Sequence, residues 1–198
     1  MTETDWTRLR ALGCVGVFGG SFDPPHCGHM LLAAYALSVA PIDAVLVVPA
    51  FAHPFGKRMA PFEDRLAMAR AAFSTLDPAR IVVSAIESEL TAPSYTWRTL
   101  EAVSERLPGV SLRLLVGSDI LEGTSKWASI ARVRELAPFF VIGRGDHVAG
   151  GEHAPLELPA VSSTEIRARL GRGEDAVGLL PAGVATHIAR RGLYRGEP

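Results

Sequence analysis

Residues 14–29 read Cys14-Val15-Gly16-Val17-Phe18-Gly19-Gly20-Ser21-Phe22-Asp23-Pro24-Pro25-His26-Cys27-Gly28-His29, and the fold is decided there. The short apolar run Cys14–Phe18 predicts a buried strand. Gly19 and Gly20 let the chain turn tightly after it and approach a ligand. Pro24 and Pro25 stiffen the descent into a helix expected over His29–Val39. His26 and His29 are three apart, so at a helix start they share one face. A helix start carries partial positive charge and N–H groups without intrahelical partners, which favours phosphate. Two imidazoles there can donate hydrogen bonds to phosphate oxygens. The competing readings are two surface histidines beside a cap, or a zinc pair that includes Cys27. A structural zinc site needs four ligands, and no partner cluster is evident in the sequence.

Outward from this segment, strands and helices alternate. Strands are expected at Ala44–Val48, Ile81–Ser84, Leu112–Val116 and Phe139–Ile142. Helices are expected at Pro61–Phe73, Thr96–Leu107, Ile130–Leu136, Ser163–Leu170 and Pro181–Arg190. In Pro61–Phe73, Phe62, Leu66, Ala69 and Phe73 recur at helical spacing, and Pro61 suits the first position. This alternation predicts an α/β fold: a doubly wound, mostly parallel sheet with helices on both faces, and a C-terminal helical portion over 162–198. Ligands bind such sheets beyond the C-terminal strand ends, at the switch point. The loops of interest are therefore 19–28, 49–60, 117–127 and 143–155, the last rich in Gly and His.

Length and composition set outer limits. The chain has 198 residues, which predicts a single domain over 1–198. Twenty Lys and Arg against 21 Asp and Glu give a net charge of −1. That balance argues against a broad nucleic-acid groove or a basic membrane-binding surface. Apolar residues make up 48%, enough for a sizeable core. Cys14 and Cys27 cannot build a disulfide framework, and the first ten residues lack an apolar signal core, so a cytoplasmic location is expected. Residues 30–52 are long and apolar enough to span a bilayer, yet Pro41, Asp43 and Pro49 divide them into pieces that fit a helix, a turn and a strand. Apolar residues in the C-terminal helices suit either core or a homo-oligomer interface.

Two nucleotide signatures are missing. No G-x-G-x-x-G follows the first strand, and Gly56-Lys57 lacks the Ser or Thr of a P-loop. Instead, Gly19–His29 resembles the H-x-G-H motif of the nucleotidyltransferase superfamily. In its longer form, G-G-S-F-D-P-P-H-x-G-H, it resembles bacterial nicotinate mononucleotide adenylyltransferases. Three further segments match in order: Pro93-Ser94-Tyr95-Thr96 with Thr99-Leu100, then Gly117-Ser118-Asp119 with Trp127, then Ser162-Ser163-Thr164-Glu165-Ile166-Arg167.

The resemblance implies a Rossmann-like nucleotidyltransferase fold, ATP and nicotinate mononucleotide as substrates, and Mg²⁺ accompanying ATP. It implies catalytic roles for His26, His29 and Arg167. ATP would be held by Gly19, Gly20, Phe22, Asp119, Ser162, Ser163, Thr164 and Arg167. The mononucleotide would be held by Ser21, Phe22, Lys57, Tyr95, Thr96 and Trp127, with no protein cluster for a metal. Several of these residues have plainer readings. Ser162 and Glu165 form a capping-box pattern, Asp119 and Thr96 suit helix caps, and Trp127 suits a core. Arg144 is a further candidate for the triphosphate.

The chain departs from the family's pattern in three places. Three residues separate His53 from Lys57, Ala128 stands after Trp127 where an aromatic is frequent, and Trp97-Arg98 follows Thr96. Preference for nicotinamide mononucleotide, phosphopantetheine adenylyl transfer and a non-catalytic nucleotide-binding regulator are the alternatives. His26 and Trp127 speak against the second, and the presence of His26, His29 and Arg167 speaks against the third. A tRNA-binding fragment would need a basic surface that this charge balance does not suggest.

Overall fold

The computed structural model describes residues 2–118, 127–144, 153–158 and 161–196. Its strands are β1 (Cys14–Gly20), β2 (Ala44–Pro49), β3 (Ile81–Val83), β4 (Ser111–Gly117), β5 (Phe139–Arg144) and β6 (His153–Leu158). They form a six-stranded sheet in the order β3-β2-β1-β4-β5-β6, with every neighbouring pair parallel. The helices are α1 (Glu3–Arg10), α2 (Cys27–Val39), α3 (Phe62–Phe73), α4 (Thr96–Arg106), α5 (Ile130–Leu136), α6 (Ser163–Gly171) and α7 (Ala182–Arg191).

Both sheet faces are covered, which explains the unbroken apolar strands. All of β2 is buried, and its side chains alternate between two cores. Val45 and Val47 pack with Leu32 and Ala36 of α2, Met68 and Phe73 of α3, and Val184 and Ile188 of α7. Ala44, Leu46 and Val48 pack with Trp6 and Leu9 of α1, Leu100 and Val103 of α4, and Val133 of α5. The run over 30–52 is indeed a helix, a turn and a strand. Among the described residues no helix is long and apolar enough to cross a membrane.

Three elements differ from the sequence expectation. β6 lies where a loop is expected, because its Pro155 and its polar flanks disguise it. Proline has no N–H to give a ladder and is confined to edge strands, and β6 is the edge, with a register irregularity against β5. α1 was not expected. Thr2 caps it, accepting from the Asp5 N–H (3.3 Å) while the Thr2 N–H donates to Asp5 Oδ2 (2.9 Å). α2 begins two residues earlier than expected, with His26 as its N-cap.

A buried polar tie joins α3 to α7. Asp64 Oδ1 lies 2.9 Å from His187 Nε2 and accepts from Arg191 Nε at 2.9 Å. Burial pushes the Asp64 carboxyl up, but these two hydrogen bonds outweigh it and hold the group below its ordinary value.

Candidate active site

The strand order reverses between β1 and β4, and a cavity of about 540 Å³ opens at their C-terminal ends. Gly19 and Gly20 from β1, Ser21 just after it, Gly117 from β4, Tyr95 and Thr96 at the start of α4, and Trp127 all line it. A Cβ at Gly19 would meet no protein atom within 4 Å and would project into open space. Trp127 is half-buried, its ring 6.2 Å from that of Phe139. The N-cap of α4, Tyr95, gives no side-chain hydrogen bond to the helix start, and that first turn holds no acidic residue. The positive end of this helix faces the cavity, which the Glu87 carboxylate also lines while accepting from Thr99 Oγ1 and the Phe51 N–H.

Beside the cavity, the two histidines stack. Their ring centroids are 3.7 Å apart, and the His29 ring leans on Phe22 at 5.0 Å. The His26 backbone N–H donates to His29 Nδ1 at 3.2 Å. Nδ1 must then be the accepting nitrogen, so the neutral His29 carries its proton on Nε2, as a donor. Gly28 makes the stack possible, since a Cβ there would lie 3.1 Å from both Cε1 and Nδ1 of His26. Phe22 adopts φ 47° and buries its ring among Phe18 and Phe73, so anything it offers a ligand comes from its backbone.

The start of α6 docks on the same turn. The Ser163 hydroxyl donates to the Pro24 carbonyl (2.9 Å), and Arg167 Nη1 donates to the Asp23 carbonyl (2.7 Å). Arg167 Nη2 reaches Thr164 Oγ1 at 3.3 Å. Ser162 caps the helix by accepting from the Glu165 N–H (3.1 Å). Only this half of the capping box forms. The Glu165 carboxylate pairs instead with Arg169, four residues on, at 2.7 Å. Lys57 is exposed on the neighbouring loop. Partial burial pushes its pKa down, the charges of Arg167 and Arg65 push the same way, and Asp23 opposes them. Three cations thus gather around one carboxylate, and the group favours an anion.

Two buried charges that sequence reasoning passed over hold the loops in place. Arg65, 1% exposed, donates to the carbonyls of Ala60, Ser21, Ala50 and Phe51 at 2.7–3.3 Å. It ties the loop after β1 to the loop after β2. Its sequence signal was a charged residue on the apolar stripe of α3, one turn from Ala69. Glu87 accepts from the Phe51 N–H (2.9 Å) and from Thr99 Oγ1 (2.7 Å), while Ser94 Oγ accepts from the Ala52 N–H (3.0 Å). His53 also lines the cavity. Burial, then the charge on Lys57, lowers its pKa, which keeps the imidazole neutral near pH 7. No local sequence pattern marks Glu87 or His53.

The structure thus brings His26, His29, Ser163, Thr164 and Arg167 to one turn, and Gly19, Gly20, Ser21, Tyr95, Thr96 and Trp127 to the adjoining cavity. Asp119 and the side chain of Arg144 lie outside the described residues.

The sequence profile of the cytidylyltransferase-like family matches residues 17–169. A probable nicotinate-nucleotide adenylyltransferase of Anaeromyxobacter dehalogenans is 46% identical over 187 residues, spanning 92% of this chain and 97% of that one. One of the same name from Myxococcus xanthus is 37% identical over 180 residues, spanning 91% and 94%. A solved structure of Plasmodium falciparum nicotinic acid mononucleotide adenylyltransferase complexed with NaAD superposes with a TM-score of 0.80. It is 19% identical and covers 92% of this chain and 97% of that one, a likeness of fold. The profile runs from within β1 to within α6 and the relatives align nearly end to end, so this chain belongs to the cytidylyltransferase-like family.

Proposed function

We propose that the protein transfers the adenylyl group of ATP to nicotinate mononucleotide, giving nicotinate adenine dinucleotide and pyrophosphate, a step of NAD biosynthesis. The observation that carries this reading is the pairing of two spaces. A cavity with an aromatic wall and an uncapped helix start adjoins a turn where the stacked histidines meet Arg167. The first suits a flat ring bearing a carboxylate, and the second suits phosphates.

In this reading the 5′-phosphate oxygen of the mononucleotide attacks the α-phosphorus of ATP. The bond from that phosphorus to the bridging oxygen breaks, and pyrophosphate leaves. The nucleophile is already an anion, so catalysis reduces to alignment and charge stabilisation. His29, with Nε2–H as its donor, stabilises the charge growing on the α-phosphate, and His26 holds its neighbour in place. Ser163, Thr164 and Arg167 hold the β- and γ-phosphates, and Lys57 approaches from the facing loop. Gly19, where a side chain would project into open space, leaves room for the nucleotide, and Gly20 leaves room for the Phe22 ring. Trp127 offers an indole face to the cationic pyridinium.

Mg²⁺, when bound with ATP, neutralises the triphosphate. Among the described residues no three His, Cys, Asp or Glu side chains converge on a cation site. The ion is expected to be held chiefly by phosphate oxygens and water, a coordination Mg²⁺ favours.

The acid is favoured over the amide by the helix start at Thr96, whose N–H groups and dipole attract a carboxylate. The relatives named for nicotinate point the same way. The test is pyrophosphate release with ATP, Mg²⁺ and either mononucleotide. Turnover with the acid at least about tenfold better in kcat/KM is expected, the equivalent of one charge-assisted hydrogen bond. No release with either substrate would overturn the assignment.

A further inference from the structure

Asp23 is 1% exposed, and its contacts come from distant parts of the chain. Oδ1 accepts from the Tyr194 phenol (2.8 Å) and from the Ala60 N–H (3.2 Å). Its backbone carbonyl accepts from Arg167 Nη1 at 2.7 Å. Oδ2, which is buried, makes no hydrogen bond and stands 3.8 Å from that same Nη1. An Arg–carboxylate pair that closes fully reaches about 2.7–2.9 Å and is often bidentate. Asp23 and Arg167 are thus kept just short of the contact they would otherwise make.

What keeps them apart is built with care. Gly192 ends α7 in the left-handed conformation, and the Leu193 N–H returns to the Ile188 carbonyl (3.2 Å). Tyr194 then takes φ 63°, a conformation uncommon for a bulky residue and retained where the surroundings enforce it. This turn carries the ring into the core beside α2 and α3 and sets its hydroxyl on Asp23. Burial and the Asp23 charge push the phenol pKa far up, so the group remains a donor.

We propose that Tyr194 is a positioning residue for ATP: its hydroxyl fixes the Asp23 carboxylate in an orientation that stops Oδ2 from capturing Arg167. The guanidinium keeps one donor on the Asp23 carbonyl, which aims it, and leaves its outer edge for the β- and γ-phosphates. Without the phenol, Oδ1 loses one of its two donors, the carboxylate turns, and the arginine is consumed in an internal ion pair. This inference rests on the reading of Arg167 as a ligand of the ATP phosphates.

The test is Tyr194→Phe in the full chain, which keeps the ring and removes the oxygen. Its KM for ATP is expected to rise about tenfold, the loss of one charge-assisted phosphate contact, while kcat and the KM for nicotinate mononucleotide stay within about twofold. The same substitution in an Asp23→Asn background should change the KM for ATP less than about twofold, because a neutral amide cannot capture the arginine. An unchanged KM for ATP in Tyr194→Phe overturns the proposal. So does an equal rise in both backgrounds, a parallel rise in both KM values, or loss of the cooperative unfolding transition, each the mark of general loosening. A wild-type chain that releases no pyrophosphate refutes the function instead; an active wild type with an indifferent Tyr194→Phe refutes only the positioning role.

Discussion

Replacing Gly28 with alanine sets helix stability against the placement of His26. Gly28 is the second residue of α2, and glycine inside a helix costs roughly 1 kcal/mol relative to alanine, less in a first turn. The new Cβ, however, would lie 3.1 Å from Cε1 and Nδ1 of His26 and 3.7 Å from the Val161 Cβ. The His26 ring is 2% exposed and has the His29 ring 3.7 Å away, so it has little room to yield. It must shift by a few tenths of an ångström and carry its neighbour with it. The gain in helix propensity and the cost of crowding nearly cancel in stability, whereas displaced phosphate donors do not cancel in rate. The expected outcome is a Tm within a few degrees of wild type and a kcat/KM lower by about 10–100-fold, since misplacement approaching 1 Å costs on the order of 10²-fold. Thermal unfolding and pyrophosphate release with ATP and nicotinate mononucleotide read the two effects separately. Turnover within about twofold of wild type would refute the reasoning. So would a fall in Tm of more than about 8 °C, which is a loss of over 2 kcal/mol for a chain of this size.

His29→Ala should lower kcat by about 10²–10³-fold, as for removal of one preorganised charge stabiliser, with the far-ultraviolet spectrum unchanged; near-normal turnover would sink its assigned role. Arg65→Met strands the carbonyls of Ser21, Ala50, Phe51 and Ala60 and should cost about 3 kcal/mol or more, read as a lower urea midpoint. A midpoint equal to wild type would show that those loops hold themselves. The Asp64 carboxyl is held below its ordinary value in the fold, so its stabilisation is present above the unfolded value of about 3.9 and lost as pH falls through the lower, folded value. Asp64→Asn should flatten the fall in Tm as the pH drops below about 4, and a slope identical to wild type would refute this.

Much of the architecture was legible because buried parallel strands leave long β-branched runs, as in Ala44–Pro49, and because Gly19–His29 concentrates glycines, prolines and histidines at one strand-to-helix turn. What escaped is instructive in physical terms. β6 hid behind Pro155, which local propensity reads as a break although an edge strand tolerates it. α1 starts at a Thr2–Asp5 capping box in which Asp replaces the usual Glu or Gln, and its mixed acids and bases carry a weak apolar stripe. Ser162 and Glu165 gave the right helix start and the wrong partner, since a nearby arginine attracts a carboxylate more strongly than a backbone N–H does. Apart from the Arg65–Ala60 bond, which spans five residues, Arg65, Glu87 and Tyr194 act through partners 12–171 residues away, and no local window reports such pairings.

The way α2 is closed has a consequence for timing. The Cys27 N–H at its start is taken by the Leu179 carbonyl (2.9 Å), and Asp23 waits for a phenol 171 positions further along. These are among the longest-range contacts a chain of this length can make, and contacts of high sequence separation form late. During synthesis at about 5–20 residues per second, the first phosphate turn would emerge many seconds before the segments that complete it. Val184, Ile188 and Tyr194 from the last segment also complete the core on one face of the sheet, so that face and the turn over 19–28 are closed together. On the function proposed above, nucleotide binding would report completion of the chain as well as its folding, because a product that ends before residue 161 lacks the start of α6 and the α7 residues Val184 and Ile188 of the core.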